Sequence, residues 1–190
     1  MKVILINGSP REKGCTYTAL KEIADELNRN DIESEIIFIK SLERSIDKEF
    51  INEVKEKVEN SSGIIIGSPV YYAAPTAIIS SFMTKLMSVL DKKKIALMPS
   101  ASIASARRAG TTCTIDQLNK FFSISQMPIV STQYWPMVHG NTPSEVQKDE
   151  EGLQTMRILA KNMAYMIKAF DKANIEKPEF ETKLKTNFIR

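Results

Sequence analysis

The sequence predicts an α/β fold in which helices cover both faces of a mainly parallel sheet. Short, uninterrupted apolar runs rich in branched residues recur along the chain, which is typical of strands buried on both faces. Amphipathic segments with apolar residues three and four positions apart separate these runs. Strands that alternate with helices of this length form βαβ units with right-handed crossovers, and such units build a parallel sheet.

Five strands are expected from the apolar runs. The first four are residues 3–6, 36–39, 63–66 and 95–98, and residues 128–130 begin the fifth. The Ser/Ala-rich stretch 99–110 follows the fourth run and is predicted to be a loop.

The helices between these strands are predicted from their apolar faces. Thr16 is expected to cap the first helix, whose apolar stripe includes Leu20 and Leu27. Further helices are expected around residues 50–58, 79–90, 116–122 and 153–170. Residues 1–170 are therefore predicted to form one domain. Residues 171–190 are predicted to be a C-terminal extension, either an arm on a neighbouring subunit or a segment that folds back.

Composition excludes several classes of protein. Lys and Arg total 26 against 23 Asp and Glu, and a formal charge of +3 is too small for a nucleic-acid-binding protein unless it is clustered on one face. Two cysteines, Cys15 and Cys113, are too few for a disulfide framework, a four-cysteine zinc site or a cysteine-held iron–sulfur cluster. No segment reads as a signal peptide or a membrane span. We therefore expect a cytoplasmic protein that binds no metal, nucleic acid or membrane.

Three loops of unusual composition predict a binding site. Ligands of open parallel sheets bind beyond the carboxyl ends of the strands. Residues 8–15, 67–75 and 99–110 are expected at that edge and are rich in Gly, Ser, Pro, Tyr and Arg. One such loop would be ordinary turn chemistry, but three at one edge indicate a ligand.

The first loop predicts a site for a phosphate group. It leads into a helix N-terminus, where free N–H groups and the positive end of the helix dipole attract anions. Ser9 and Thr16 add hydroxyl groups, and Arg11 adds a guanidinium. Cys15 stands where a triphosphatase loop needs Lys, and the dinucleotide pattern G-x-G-x-x-G is absent. A single terminal phosphate therefore fits best; the alternative is a plain turn before a capped helix.

The other two loops carry groups suited to a flat heterocycle. Tyr71 and Tyr72 offer aromatic faces in a loop stiffened by Pro69 and Pro75. In the third loop, small residues allow close approach of a ligand, and a guanidinium stabilises negative charge on a reduced ring. The residues concerned are Ser105, Arg107, Arg108, Ala109 and Gly110. The alternatives are that the tyrosines cover the core and that the arginines are merely solvated.

Together, the loops resemble those of the flavodoxin-like NAD(P)H-dependent FMN reductases, especially the iron–sulfur flavoprotein branch. The resemblance rests on GSPR at 8–11, GCT at 14–16, GSPVYY at 67–72 and RRAG at 107–110. It implies a flavodoxin-like five-stranded parallel sheet of order 2-1-3-4-5, with FMN as cofactor and NAD(P)H as co-substrate. It also implies a homodimer or homotetramer.

The resemblance also assigns residues to parts of the cofactor. Ser9, Arg11 and Thr16 would hold the phosphate, with Gly14 and Cys15 in the same loop. The ribityl chain and isoalloxazine would be flanked by Pro69, Val70, Tyr71 and Tyr72. The pyrimidine side of the ring would be lined by Ser105, Arg107, Arg108, Ala109 and Gly110.

The chain departs from the family pattern at two places. Cys15 replaces an Asn or Ser of related sequences, and a thiol at a helix N-terminus is expected to have a lowered pKa and to be open to oxidation. Residues 40–47 contain no cysteine, whereas the iron–sulfur branch has a compact cysteine cluster there. No iron–sulfur cluster is therefore expected, and electrons would enter from a soluble donor.

The sequence therefore predicts an FMN-dependent oxidoreductase that takes hydride from NAD(P)H and reduces a small acceptor. Candidate acceptors are a quinone, a nitro or azo compound, free flavin or dioxygen. The alternatives are a non-enzymatic flavodoxin-type electron carrier, against which the pI of 8.8 weighs, and a flavin-binding or nucleotide-binding regulatory module. No catalytic side chain is identified, because the one histidine, His139, is more typical of a structural or solvated residue. Trp135 is expected at a subunit contact or beside the flavin.

Overall fold

The computed structural model describes residues 1–181, 184 and 186, which form a five-stranded parallel sheet of order β2-β1-β3-β4-β5. The strands are β1 (Lys2–Asn7), β2 (Glu33–Phe38), β3 (Gly63–Pro69), β4 (Ser100–Ala106) and β5 (Met137–His139). The helices are α1 (Cys15–Arg29), α2 (Leu42–Ile46), α3 (Lys48–Glu59), α4 (Ala77–Val89), α5 (Lys92–Ile95), α6 (Thr111–Ser123), α7 (Pro143–Val146) and α8 (Glu150–Ala173). The predicted fold class and strand order are confirmed.

Two apolar layers enclose the sheet. Alternate residues of a strand point to opposite faces, so β1 contributes Val3 and Leu5 to one layer and Ile4 and Ile6 to the other. Helices α1 and α8 cover the first face, and α3, α4 and α6 cover the second. The strands are buried on both sides, which explains their uninterrupted apolar sequences.

The prediction for the fourth strand was wrong. Ile95 is the last residue of α5, and residues 96–98 form a turn in which Leu97 has a φ of 63° and Met98 N–H donates to the Ile95 carbonyl at 3.0 Å. The fourth strand is instead β4, within the stretch predicted to be a loop. Its small Ser and Ala side chains let α1 and α6 pack closely on its two faces, so tertiary packing outweighs weak strand propensity.

The fifth strand was predicted only in part. Residue Ile129 forms a single parallel bridge with Ser100, and the chain then leaves the sheet before β5 pairs with the end of β4. His139 is the last residue of β5. Residues 131–136 lie between the bridge and β5.

The predicted cap of the first helix was also wrong. Gly14 is the N-cap of α1, and no side chain caps the helix. Thr16 lies inside the first turn, where its hydroxyl group is 2.8 Å from that of Ser105 on β4. Its side chain therefore joins α1 to the sheet.

The C-terminal segment begins where α8 ends at Ala173. Beyond it, the ammonium group of Lys177 donates to the carbonyls of Lys94 and Ala96 at 3.3 Å and 2.9 Å. Phe188 and Ile189, two apolar residues of the predicted C-terminal extension, lie outside the described residues. The division into a domain 1–170 and an extension 171–190 stays a prediction. Within the part of the chain described, no helix is long and apolar enough to cross a bilayer.

Candidate functional site

The three loops meet in one cleft of about 220 Å³ at the carboxyl ends of β1, β3 and β4. The predicted residues that line it are Ser9, Arg11, Gly14, Cys15, Thr16, Pro69, Val70, Tyr71, Ser105 and Arg107. Tyr72, Arg108, Ala109 and Gly110 lie outside its walls. Most of the residues that the sequence predicted for the site therefore line a single cavity.

Close packing fixes the loop between β1 and α1. Gly8 N–H donates to the Gly67 carbonyl at 2.9 Å, and the Thr76 hydroxyl donates to the Gly8 carbonyl at 2.7 Å. A Cβ on Gly8 would lie 2.4 Å from Cβ of Ile79, which no side chain tolerates. The loop is thus held against β3 and the start of α4.

The N-terminus of α1 opens into this cleft without a protein cap. Its first turn contains no acidic residue, and the described backbone hydrogen bonds leave the N–H groups of Cys15, Thr16 and Tyr17 without a backbone acceptor. Ser9 is 4% exposed, and its hydroxyl oxygen accepts from Arg11 N–H at 3.1 Å. No described residue accepts the hydroxyl proton of Ser9, so it is available to a ligand. Free N–H groups, a helix dipole and a hydroxyl donor form an anion site.

A buried pair of hydroxyl groups forms part of the wall. Thr16 and Ser105 are 1% and 2% exposed, and their oxygens lie 2.8 Å apart. In such a pair one hydroxyl donates to the other, so one hydrogen remains for a ligand. This pair connects the first loop to β4.

The charge of the cleft is positive. Arg11 and Arg107 line it, its walls contain no Asp or Glu, and neither guanidinium forms an ion pair with another described residue. Glu145 is the acidic residue whose charge acts on the nearby Cys15 thiol. Two exposed cations beside an uncapped helix N-terminus favour a doubly charged anion over a neutral ligand.

A tight turn positions the aromatic residue of the cleft. Tyr71 and Ala74 exchange two backbone hydrogen bonds of 2.9 Å and 3.0 Å, and the two residues between them, Tyr72 and Ala73, have φ values of 51° and 57°. Positive φ at non-glycine residues is strained and persists where surrounding contacts enforce it. Tyr71 is 49% exposed at the rim, whereas Tyr72 points fully into solvent.

Gly110 supports this turn from the third loop. It has a φ of 98°, and a Cβ there would lie 2.8 Å from Cγ1 of Val70 and 3.0 Å from Cα of Ala73. The Val70 N–H also donates to the Ser105 carbonyl at 3.0 Å. Gly110 therefore shapes the cleft from behind, although it does not line it.

The environment of Cys15 differs from the expectation. Burial raises the pKa of its thiol, which outweighs the lowering effects of the backbone N–H and of Arg11. The thiol donates to the Gly140 carbonyl at 3.6 Å. The expected lowered pKa was wrong, because the side chain turns away from solvent toward the β5–α7 loop.

Sequence reasoning missed the part of the cleft that follows β5. Gly140 and Asn141 line it there, next to Ala106 at the end of β4. Gly140 N–H donates to the Ala106 carbonyl at 3.0 Å, which places residues 140 and 141 at the same edge as the other loops. The signal was the Gly-Asn pair at 140–141, but it is visible only once β5 is placed at residues 137–139.

Two other predicted features lie away from the cleft. Trp135 is 54% exposed and lines a different cavity, and Cys113 is exposed on α6. Among the residues that the structure describes, no group of three or more His, Cys, Asp or Glu is arranged to hold a metal ion.

Comparison with known proteins agrees with this geometry. Residues 1–142 match the family model described as NADPH-dependent FMN reductase. The chain is 28% identical over 196 residues to an iron–sulfur flavoprotein of Methanocaldococcus jannaschii, covering 90% of this chain and 100% of that one.

Two solved structures share the fold. RosB with bound 8-demethyl-8-formylriboflavin-5′-phosphate has a TM-score of 0.73 at 11% identity, covering 100% of this chain and 94% of RosB. A WrbA-like flavodoxin from Agrobacterium tumefaciens has a TM-score of 0.68 at 13% identity, covering 88% of this chain and 97% of the flavodoxin. Because the family model spans most of the chain, the protein belongs to the NADPH-dependent FMN reductase family, whose members are FMN-dependent oxidoreductases.

Proposed function

We propose that this oxidoreductase binds FMN in the cleft between β1, β3 and β4, takes hydride from NAD(P)H and reduces a small acceptor. One observation carries the proposal. An uncapped helix N-terminus, a buried serine hydroxyl and two guanidinium groups that form no ion pair with a described residue converge on one cavity whose walls contain no carboxylate.

The cleft suits the phosphate end of FMN. The N–H groups at the start of α1 and the Ser9 hydroxyl would donate to phosphate oxygens, and Arg11 would add a charged hydrogen bond. Either Thr16 or Ser105 has a hydroxyl hydrogen left to donate. The backbone N–H groups and the buried hydroxyl groups are already oriented by the fold, so ordering them on binding costs little conformational entropy.

The size of the cleft indicates where the rest of FMN would lie. At about 220 Å³ it is smaller than the roughly 300–1,000 Å³ of pockets that enclose a whole drug-sized ligand. The phosphate and ribityl chain would therefore occupy the cleft, and the flat ring would reach the open rim beside Tyr71. An open rim leaves room for a nicotinamide and then an acceptor.

The chemistry needs little help from protein acids or bases. Bound FMN would supply it by accepting a hydride from NAD(P)H and passing two electrons to a quinone, a nitro or azo compound, free flavin or dioxygen. Arg107 contributes positive charge at the cleft, which stabilises negative charge as it develops on a ligand. His139 is exposed and does not line the cleft, so it receives no catalytic role.

The cysteine content supports a soluble electron donor. The Methanocaldococcus jannaschii relative is named an iron–sulfur flavoprotein, but this chain has two cysteines and an iron–sulfur cluster takes four thiolates. Cys15 is engaged with Gly140, and residues 40–47, where the cluster cysteines are expected, form part of α2 and its flanks. Direct reduction by a nicotinamide is the simplest route.

The half-open cleft also supports a role for a second subunit. Tyr71 and Tyr72 present aromatic surface at its rim, where a neighbouring copy of the chain would cover the exposed ring of the cofactor. We therefore propose a homodimer or homotetramer as the active form.

An anaerobic reduction experiment tests the proposed activity. FMN-loaded protein should lose its yellow absorbance when NADPH or NADH is added and regain it when a quinone follows. Tight FMN binding with no bleaching by either nicotinamide would contradict the enzyme and favour a carrier that docks on redox partners. Lys13→Ala, in the β1–α1 loop but outside the cleft, should bleach and recover as the natural chain does.

A further inference from the structure

A second cavity of about 450 Å³ lies on the edge of β4, between α6 and residues 129–136. It shares no lining residue with the cleft described above. Its floor is Ser102 in the middle of β4, several residues before the carboxyl end at which the three loops meet. The two cavities are therefore separate.

The floor of this cavity is a gap in the hydrogen-bond ladder. Ser100 N–H donates to the Pro128 carbonyl at 2.9 Å, and Ala104 N–H donates to the Pro136 carbonyl at 3.1 Å. Alternate residues of a parallel strand bond toward the same neighbour, so Ser102 directs its N–H and C=O to this side as well. No hydrogen bond among the described residues reaches either group, because residues 131–135 lie away from the sheet.

The backbone groups at this gap are buried, so leaving them without hydrogen-bond partners costs free energy. Ser102 is 1% exposed, and an unpaired buried N–H or C=O costs free energy comparable to a lost hydrogen bond. The Ser102 hydroxyl donates to Oδ1 of Asn119, so the residue's own side chain is committed elsewhere. The backbone N–H and C=O of Ser102 are therefore left at the bottom of the cavity without a partner among the described residues.

Aromatic side chains form the opposite wall. The rings of Tyr134 and Trp135 meet edge to face, with centroids 4.9 Å apart and an interplanar angle of 69°. Both side chains are about half exposed, at 53% and 54%. Ile115 adds an apolar surface from α6. Such walls favour a flat, largely apolar molecule.

The charge of this cavity is opposite to that of the cleft. Asp116 lies at its rim and forms no ion pair with another described residue, and the lining contains no Lys, Arg or His. An anion would meet a carboxylate and no cation here. This charge disfavours phosphorylated ligands such as FMN or NADPH and favours an uncharged molecule.

From these observations we propose that the cavity is a second ligand site, for a small uncharged aromatic carboxamide or lactam. Its carbonyl oxygen accepts from Ser102 N–H, and its N–H donates to the Ser102 carbonyl. Its ring lies against Trp135. The ligand thus supplies the two hydrogen bonds that no described residue makes to the backbone of Ser102.

Four related probes test this assignment by NMR on the FMN-loaded protein. Benzamide has both the donor and the acceptor, methyl benzoate has the acceptor, toluene has neither, and benzoate is an anion. Because the chain contains one tryptophan, the single indole N–H signal reports on Trp135, and the Ser102 amide signal reports on the gap. Both signals should move with benzamide.

The expected order of affinity follows from the unpaired groups. Benzamide should bind about tenfold more tightly than methyl benzoate, a difference of about 1.4 kcal/mol, with benzoate weaker still. If methyl benzoate or toluene binds as tightly as benzamide, or the Ser102 amide signal does not move, the proposal is wrong and the gap holds water or traps any apolar molecule.

A pair of substitutions locates the binding. Ile129→Phe places a larger side chain in the cavity and should weaken benzamide binding at least fivefold, whereas Ile124→Phe, at an exposed residue outside it, should change binding less than twofold. Equal effects of both variants would contradict the site. Should Ile129→Phe fail to fold, the ranking of the four probes on the natural chain still decides the question.

Discussion

Replacing Arg11 by Ala tests the proposed phosphate site most specifically. Arg11 lines the cleft, has no ion-pair partner among the described residues, and lies beside the open N-terminus of α1. A hydrogen bond to a charged group contributes about 1.5–3 kcal/mol, and the low end applies because Arg11 is exposed. A loss of about 1.5 kcal/mol corresponds to roughly tenfold weaker FMN binding.

The assay is a calorimetric or fluorescence titration of the apoprotein with FMN. Lys13→Ala removes the same charge from the same loop outside the cleft and should change the affinity less than twofold. If charge acts at contact rather than at long range, the difference between the two variants should persist when salt is raised, because screening suppresses distant interactions first.

Two results would contradict a phosphate site at Arg11. Unchanged FMN affinity in Arg11→Ala would show that the phosphate lies elsewhere. Equal losses in Arg11→Ala and Lys13→Ala would show that the loop acts only through its overall charge.

Three further predictions concern residues that line the cleft or support it from behind. Thr16→Val leaves the buried Ser105 hydroxyl without its partner and should lower the free energy of unfolding by about 1–3 kcal/mol, measured by urea titration. Thr16→Ser keeps the hydroxyl but loses a buried methyl group, so it should lower the free energy of unfolding less than Thr16→Val does. Gly110→Ala should cost about 1–3 kcal/mol in the same assay and weaken FMN binding, since a Cβ at φ 98° collides with Val70; unchanged stability would contradict the crowding. Burial raises the pKa of Cys15, so its thiol should react with iodoacetamide at pH 7.5 more slowly than that of the exposed Cys113, and equal alkylation rates would contradict the burial. Because the unfolded thiol ionises at lower pH than the folded one, the free energy of unfolding should also fall as pH rises above about 8.5.

Apolar periodicity placed most of the strands and helices, although the apolar run 95–98 turned out not to be a strand. β1 and β3 are branched runs buried on both faces, and α1 and α8 show helical spacing, so their placement follows from periodicity. β4 has one large apolar side chain, Ile103, among Ser and Ala. Its identity as a strand depends on its neighbours in the sheet, which periodicity does not report.

The candidate site was predictable to the same degree. The loops that leave β1 and β3 were located because the strands before them were placed well, and Ser9, Arg11 and Tyr71 line the cleft. Gly140 and Asn141 were missed because β5 is three residues long and separated from the bridge at Ile129. The direction of the Cys15 pKa shift depends on burial by a distant loop, which no local pattern contains.

The open N-terminus of α1 is the proposed binding site for the phosphate of FMN. Comparing the affinities of the apoprotein for FMN and for riboflavin, which lacks that phosphate, tests it most directly. Several charge-assisted hydrogen bonds of about 1.5–3 kcal/mol each predict that FMN binds at least about a hundredfold more tightly. Equal affinities for the two flavins would contradict the claim.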